Sequence, residues 1–385
     1  MSLEYCEIEG NERIDEDFRR IGTLLIWQKY FLTIGGLWPM ERTYIRCSIW
    51  TVYLALHLVM EYIELFTSYG NFNYAVISVL ESTMQSMVFI KLIAFRYSKT
   101  LYRLLEAMRE EFSGDMCDNR EEKKLYLKFH QLSRWYYKLS VPYIMCGATL
   151  YVGRPMITSF FSGSFGDNSS TMVFPFQIKL PFAVLDMQTY MITYAYLIPM
   201  VYLLACQNAW ICLLITIQLH ICGQLSVVEY RLRNLADENH FSRNSHTIFK
   251  SSVDLHSRAI WMSKSFDNNF HLVLLVDLVV MTLMLGLISY IIVIADALED
   301  SSTGPVFIFC GFATLALIYG YCIVGEALSV ESSKIHTAYS ECMWHESSGN
   351  FRKAVMIGLL GSQEPLRMTA GKFFIFSLSG FTNVI

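Results

Sequence analysis

Seven ionisable side chains lie within or beside long apolar stretches of this 385-residue sequence: Glu61, Glu64, Glu81, Lys91, Asp186, Asp277 and Glu326. A charge in hydrocarbon is costly, so such a group usually pairs with another group or faces a functional cavity. Lys91 and Glu326 lie near the ends of their stretches, where a long side chain can reach water. Glu81 lies well inside its stretch. We expect it either to line a vestibule or ligand site or to be an internally paired structural group.

The sequence lacks the common motifs for hydrolysis, phosphate binding and metal-dependent catalysis. HExxH, GxSxG, a glycine-rich phosphate loop and a paired Cys-x-x-Cys are all absent. His220 and Cys222 form only a lone pair, which is too few ligands for a metal site. We therefore expect a protein that is not an enzyme and that needs no cofactor and no metal.

The composition indicates that helices crossing a membrane must position these side chains. Hydrophobic residues make up 54% of the chain and charged residues 17%, against about 25% charged residues in globular proteins. The 30 Lys and Arg residues and 34 Asp and Glu residues give a net charge of −4, which argues against a nucleic-acid-binding protein. Seven stretches are candidate spans: Ile45–Phe66, Tyr74–Phe95, Tyr136–Thr158, Phe182–Ile215, His271–Ile294, Val306–Leu328 and a short run from Phe373. Pro199 predicts a kink in the fourth. The predicted fold class is an all-α membrane protein with seven transmembrane helices.

Positive charge is distributed asymmetrically between the connections. Lys and Arg residues concentrate before the first stretch and between stretches two and three, four and five, and six and seven, whereas the alternate connections contain only Lys179. Because short loops rich in Lys and Arg stay in the cytoplasm, we expect a cytoplasmic N-terminus and, after seven spans, an extracellular C-terminus. Asn168 begins a glycosylation sequon in the middle external connection. This orientation disfavours a G-protein-coupled receptor, whose N-terminus is outside.

The cytoplasmic connections are long enough to form helices of their own. Apolar residues recur at three- and four-residue spacing from Leu219 to Leu235, which predicts an amphipathic helix continuing out of the fourth span. It is either a solvated cytoplasmic helix or part of an intracellular bundle that packs subunits together. We expect residues 1–44 to form a cytoplasmic N-terminal segment. Residues 45–328 would hold the first six spans, with cytoplasmic helical extensions at about 97–135 and 216–270.

The C-terminal region carries a specific pattern that resembles the C-terminal signature of insect odorant receptors. The matching residues are Gly325, Glu326, Glu331, Ser332, Ala338, Tyr339, Trp344, Ser362, Gln363, Pro365, Thr369, Ala370, Gly371, Lys372, Phe373, Phe374, Ser377, Leu378 and Phe381. The segment from His220 to Leu225 resembles the family as well. With length, span count and orientation, the resemblance covers essentially the whole chain. It indicates a ligand-tuned receptor rather than the shared coreceptor, which is longer in the second inner loop.

The resemblance implies the odorant-binding subunit of a heteromeric, ligand-gated, non-selective cation channel in the plasma membrane of sensory-neuron dendrites. In the family, a tuned subunit and the coreceptor form a heterotetramer, and a small volatile apolar ligand opens the central pore to cations. The last helix is split into two pieces. The cytoplasmic piece is expected at Glu331–Trp344 with its flanks, within an anchor segment at 329–370, and the pore-lining piece at 371–385. Because family members usually continue further, we expect this last helix to be truncated.

The resemblance also implies an odorant site in the outer half of the bundle, among helices two to six. A volatile ligand needs a mostly apolar cavity with few polar groups. The candidates are Leu80, Glu81, Met84, Ile144, Gly147, Tyr151, Met187, Tyr190, Met191, Tyr194, Phe309, Phe312 and Ala313. Gly147 would leave room for the ligand, and Tyr190 and Tyr194 share one helix face.

The candidate pore-lining residues are Ser377, Gly380, Phe381 and Val384, beside the polar Thr382 and Asn383. Such small and polar residues are typical either of a pore lining or of close helix packing. The alternative functions are a gustatory-type chemoreceptor channel with the same topology and a seven-span G-protein-coupled receptor. A secondary transporter would need inverted repeats, which the sequence does not display.

Overall fold

The computed structural model describes most of the chain. The described residues are 16, 18, 24–41, 43–67, 70, 72–113, 117, 119–161, 173–182, 184, 186–237, 243–297, 303–342 and 349–384. Asn168 and Trp344 lie outside them, and only the backbone of Val384 is described.

The described residues are almost entirely helical. The helices are α1 (Leu24–Ile34), α2 (Tyr44–Thr67), α3 (Phe72–Arg96), α4 (Lys99–Ser113), α5 (Arg120–Phe161), α6 (Met187–Leu197), α7 (Pro199–Asp237), α8 (Arg243–Ala297), α9 (Thr303–Glu341), α10 (Gly349–Gly361) and α11 (Leu378–Val384). A two-stranded antiparallel hairpin, β1 (Thr369–Ala370) and β2 (Phe374–Ile375), precedes α11.

The outer helices turn apolar side chains outward and polar ones inward. On α2, Val52, Leu56 and Val59 belong to an exposed apolar stripe, while His57 and Glu61 are buried and lie 3.1 Å apart. This is the reverse of a soluble helix, whose polar face meets water. It is the arrangement that suits a helix surrounded by lipid.

Five helices among the described residues are long and apolar enough to cross a membrane. They are Tyr44–Thr67, Phe72–Arg96, Met187–Leu235, His246–Ile294 and Gly304–Glu341. These correspond to five of the seven expected spans. Neither α5, which contains the expected third span, nor the short α11 is among them.

Helix α7 lies at the centre of the bundle and packs on α5, α8 and α9. The apolar residues from Leu219 to Leu235 are buried except Tyr230, and so are Gln218, His220 and Gln224. The expectation of a continuous helix after the fourth span is confirmed. The solvated-helix alternative is wrong for residues 218–228, because other helices of the same chain bury them. Packing between subunits stays a prediction.

A buried polar cluster ties α4, α7 and α8 together. Glu111 lies 2.9 Å from His220 and accepts a hydrogen bond of 2.6 Å from Gln224, and Arg258 lies 2.6 Å from its other oxygen. Burial alone would raise the pKa of Glu111, but these three partners outweigh it and lower the pKa below its ordinary value. The carboxylate therefore stays charged inside the bundle.

Several element boundaries differ from those expected. The fourth stretch becomes helical only at Met187, and the helix is interrupted between α6 and α7 at Ile198, because Pro199 has no N–H to donate. The expected boundary at 328/329 falls inside α9, which runs without a break to Glu341. The separate helix of that region is α10. The last helix begins at Leu378 rather than Phe373, since residues 369–375 form the hairpin.

Candidate functional site

An interior cavity of about 140 Å³ lies between α3, α5, α7, α8 and α9. Its walls are mostly apolar. Eight residues predicted from the sequence line it together: Leu80, Glu81, Met84, Ile144, Gly147, Tyr151, Phe309 and Ala313. Its volume is close to the roughly 150 Å³ of an engineered apolar cavity that binds benzene. The cavity is therefore large enough for a molecule of about one ring.

Five predicted residues do not line this cavity. Met187, Met191 and Phe312 point outward, and Phe312 is 64% exposed. Tyr190 and Tyr194 are buried on one face of α6, as their spacing predicts, but their hydroxyls donate to backbone carbonyls of other segments. These five positions lie apart from the cavity, because helical spacing gives a common face and not the neighbour that the face contacts; a ligand-binding role for them stays a prediction.

Several other residues that line the cavity are not predicted by the sequence. Important among these are Gln85, Phe176, Gln207, Asn208, Met281, Met284 and Phe307. Phe176 belongs to a non-helical segment, and the periodicity of the helices carries no information about where such a segment packs. Gln207 and Asn208 could have been noticed as amides inside the most apolar part of α7.

Gly147 does not leave open space for a ligand as expected. A Cβ atom added to Gly147 would lie 2.6 Å from Cε1 of Phe309. The Phe309 ring stacks on Tyr143 at a centroid distance of 4.0 Å. The glycine therefore makes room for an aromatic wall of the cavity.

Glu81 lines the cavity and is internally paired, while its role in a ligand site stays a prediction. The hydroxyl of Tyr151 donates to one carboxylate oxygen, and the backbone N–H of Gln177 donates to the other at 2.8 Å. The ring of Phe176 packs 5.7 Å from that of Tyr151. Glu81 thus fastens the segment around Phe176 onto the cavity.

A buried ion pair lies one helical turn beyond the opposite end of the cavity. Lys91 Nζ lies 2.7 Å from Asp277 Oδ2, and the hydroxyl of Tyr321 donates to the same oxygen at 3.0 Å. On each of the three helices, a residue that lines the cavity lies four positions, or about one turn, from Lys91, Asp277 or Tyr321. The ring of Tyr321 packs 5.5 Å from Phe376, which leads into α11. This arrangement connects the cavity to the terminal helix.

The residues of the C-terminal signature hold the terminal segment against α8 and α9. Asp267 accepts hydrogen bonds from the backbone and hydroxyl of Thr369 and contacts Lys372, and Gly371 takes a positive φ of 62° in the turn. Glu326 accepts the backbone N–H of Leu378 at 3.3 Å. A Cβ at Gly325 would lie 2.3 Å from the carbonyl oxygen of Phe376. Only glycine permits this approach.

The candidate pore-lining residues lie on or beside α11. The hydroxyl of Ser377 accepts the backbone N–H of Gly380 and so caps the helix. Gly380 is buried, and Phe381 packs 5.2 Å from Tyr319 of α9. Val384 is the last helical residue. Their lining role stays a prediction.

The fold and the cavity define a class: a helical membrane protein with a mostly apolar interior cavity. A family model described as 7tm Odorant receptor matches residues 73–385, and the chain belongs to this family. The family consists of receptors rather than enzymes, and the resemblance inferred from the C-terminal signature is confirmed.

Individual relatives agree with this assignment. Odorant receptor 13a of Drosophila melanogaster is 23% identical over 321 residues, covering 77% of this chain and 73% of that receptor. The odorant receptor coreceptor of Aedes aegypti is 27% identical over 135 residues, covering 34% of this chain and 27% of the coreceptor. The more extensive match to a specific receptor agrees with a ligand-tuned subunit.

The fold is similar to that of a solved insect olfactory receptor. The structure of OR5 from Machilis hrabei in complex with eugenol has a TM-score of 0.78 and 14% sequence identity, and the match covers 97% of this chain and 96% of that chain.

Proposed function

We propose that this chain is the odorant-binding subunit of a heteromeric, ligand-gated, non-selective cation channel. A small volatile molecule binds in the cavity between α3, α5, α7, α8 and α9 and opens the pore. The observation that carries this proposal is the mostly apolar interior cavity of about 140 Å³, which has the character of a ligand site. The family match favours odorants over the ligands of a gustatory-type receptor.

The proposal includes the topology and the assembly. The chain has the seven-span topology of the plasma membrane, with α5 as the third span, α11 as part of the seventh, a cytoplasmic N-terminus and a glycan at Asn168. It assembles with the coreceptor into a heterotetramer in the dendrites of sensory neurons. Ser377, Gly380, Phe381 and Val384 contribute to a pore that conducts cations. The similarity to coreceptor sequences over 135 residues supports this partnership.

Ligand-evoked currents in cells expressing this chain with a coreceptor test the function. Eugenol, which binds the similar receptor of Machilis hrabei, is one compound of the screening panel. Currents are expected in excised patches without GTP, and neither subunit alone should give the same response. Currents that require GTP would instead support the G-protein-coupled alternative.

Two neighbouring residues of α9 provide a matched pair of variants. Ala313 lines the cavity, whereas Phe312 is exposed. Ala313→Leu should reduce the sensitivity to the active compound at least about tenfold, because its added atoms occupy ligand space. Phe312→Leu should leave the sensitivity unchanged. Equal effects of both variants at equal surface expression would contradict the assignment of the cavity.

A further inference from the structure

Three amide side chains lie in the wall of the cavity: Gln85 from α3, and Gln207 and Asn208 from α7. Among the described residues, the oxygens of all three belong to the buried side-chain atoms that have no hydrogen-bond partner. Gln85 is 2% exposed and Asn208 is 1% exposed. Buried polar atoms are nearly always satisfied, so unpaired acceptors grouped in one cavity call for an explanation.

The carboxylate and hydroxyl groups of the cavity wall do have partners. Both carboxylate oxygens of Glu81 accept hydrogen bonds, one of them from Tyr151. The hydroxyl of Thr314 donates to the carbonyl of Cys310 at 3.0 Å. The amide oxygens therefore differ from these groups, because they have no hydrogen-bond partner.

The amide of Asn208 is oriented by its own nitrogen. Nδ2 of Asn208 donates to the hydroxyl of Ser140 at 3.2 Å, and that hydroxyl lies 3.2 Å from the sulfur of Cys212. With the nitrogen held in this way, Oδ1 is left as an acceptor. An acceptor without a partner favours a molecule that brings an O–H or N–H group.

The remainder of the wall suits an apolar skeleton of variable shape. Met84 and Met87 from α3 and Met281 and Met284 from α8 all line the cavity. Methionine is flexible and polarisable, so such a wall adapts to different hydrocarbon outlines. Selectivity must then come mainly from the few polar groups.

We propose that the ligand of this receptor is a small, mostly apolar alcohol or phenol whose hydroxyl donates to the amide oxygens of Asn208 and Gln85. This inference rests on the proposed function, because it specifies the ligand class of the same cavity. A hydrocarbon or an ether of the same shape leaves these oxygens unpaired and binds more weakly.

Two matched sets of compounds test the proposal. One set is para-cresol, para-xylene and para-methylanisole, and the other is hexanol, heptane and methyl pentyl ether. Currents are recorded from cells expressing the receptor with a coreceptor, and thermal stabilisation of the purified complex reports binding without gating. In at least one set, the effective concentration of the alcohol should be at least about tenfold lower than the effective concentrations of the hydrocarbon and the ether.

Substitutions at the amides should remove this preference. Asn208→Leu and Gln85→Met keep a similar side-chain volume but take away the hydrogen-bond acceptor. In these variants, the effective concentration of the hydrocarbon divided by that of the alcohol should fall towards one, while the response to the hydrocarbon persists. Asn269→Leu is the matched control, since Asn269 is exposed and does not line the cavity. It should retain the full preference.

The outcomes separate the two proposals. Hydrocarbons or ethers that act as well as the alcohols would overturn the ligand class while leaving the channel function intact. The ligand class would also be overturned if both alcohols gave neither a current nor thermal stabilisation. Stronger activation by para-methylbenzylamine than by para-cresol would also overturn it, because an amine would be recognised by Glu81. Alcohol-selective stabilisation without any current would support the ligand class and contradict the channel function.

Discussion

At the scale of single residues, Gly147 controls the shape of the cavity wall. A Cβ at Gly147 would meet the edge of the Phe309 ring that holds Cε1 and Cδ1, and the same ring stacks on Tyr143 at a centroid distance of 4.0 Å. A larger residue at position 147 must therefore displace Phe309, and this displacement disturbs the stacking on Tyr143.

We predict that Gly147→Ala lowers the free energy of unfolding by about 1–3 kcal/mol through overpacking and changes the order of ligand potencies. The matched control is Gly286→Ala on α8, where a Cβ meets nothing within 4 Å. Alanine at this helical position should be neutral or stabilising. Thermal melting of the purified protein and concentration–response curves measure both effects. Equal melting temperatures of the two variants would argue against the close contact with Phe309.

At the scale of the elements, one ion pair fastens three helices. Lys91 of α3, Asp277 of α8 and Tyr321 of α9 meet at buried positions. A buried pair contributes little net stability over an apolar replacement, but a single charge left without its partner is strongly destabilising.

We predict that Lys91→Met or Asp277→Leu alone destabilises the protein by about 3–5 kcal/mol, while the double variant recovers most of this loss. Surface expression and thermal melting measure the recovery, and Lys334→Met serves as a control because it removes an ion-paired lysine that is 42% exposed. A double variant less stable than either single variant would show that the two charges do not act as a pair.

The helices themselves could be predicted from apolar runs, but their ends and contacts could not. The first two spans agree with α2 and α3 to within a few residues, because a long apolar run is a local signal. The hairpin before α11 depends on Asp267, which reaches Thr369 across more than a hundred residues. The spacing of Tyr190 and Tyr194 correctly predicts a common helix face, but tertiary packing decides which neighbour that face contacts. For the same reason, the sequence does not predict that Phe176 lines the cavity.

At the scale of the whole molecule, the central position of α7 explains why both polar and apolar residues occur there. Helix α2 carries an exposed apolar stripe, whereas α7 buries polar residues such as Gln218, His220 and Gln224 among apolar ones. The orientation of the chain in the membrane is then set by the Lys and Arg residues of the connecting segments.

We predict an N-terminal tag that is hidden in intact cells and a C-terminal tag that is accessible, because the Lys- and Arg-rich connections stay in the cytoplasm. Antibody staining before and after permeabilisation measures both. Asn168→Gln should remove a glycan shift on a gel, and Asn73→Gln, which changes an asparagine outside any sequon, is the control. An accessible N-terminal tag would contradict the orientation.

The tight packing of Gly325 and Glu326 against the terminal segment has a consequence for how receptors are grouped. The C-terminal signature that this chain shares with its family holds the terminal segment in place, and its residues Gly325 and Glu326 do not line the cavity. Likeness in this signature therefore reports shared architecture and carries no information about the ligand. Under the proposal above, receptors for the same scent would be found by comparing positions of the cavity wall, such as those of Gln85 and Asn208.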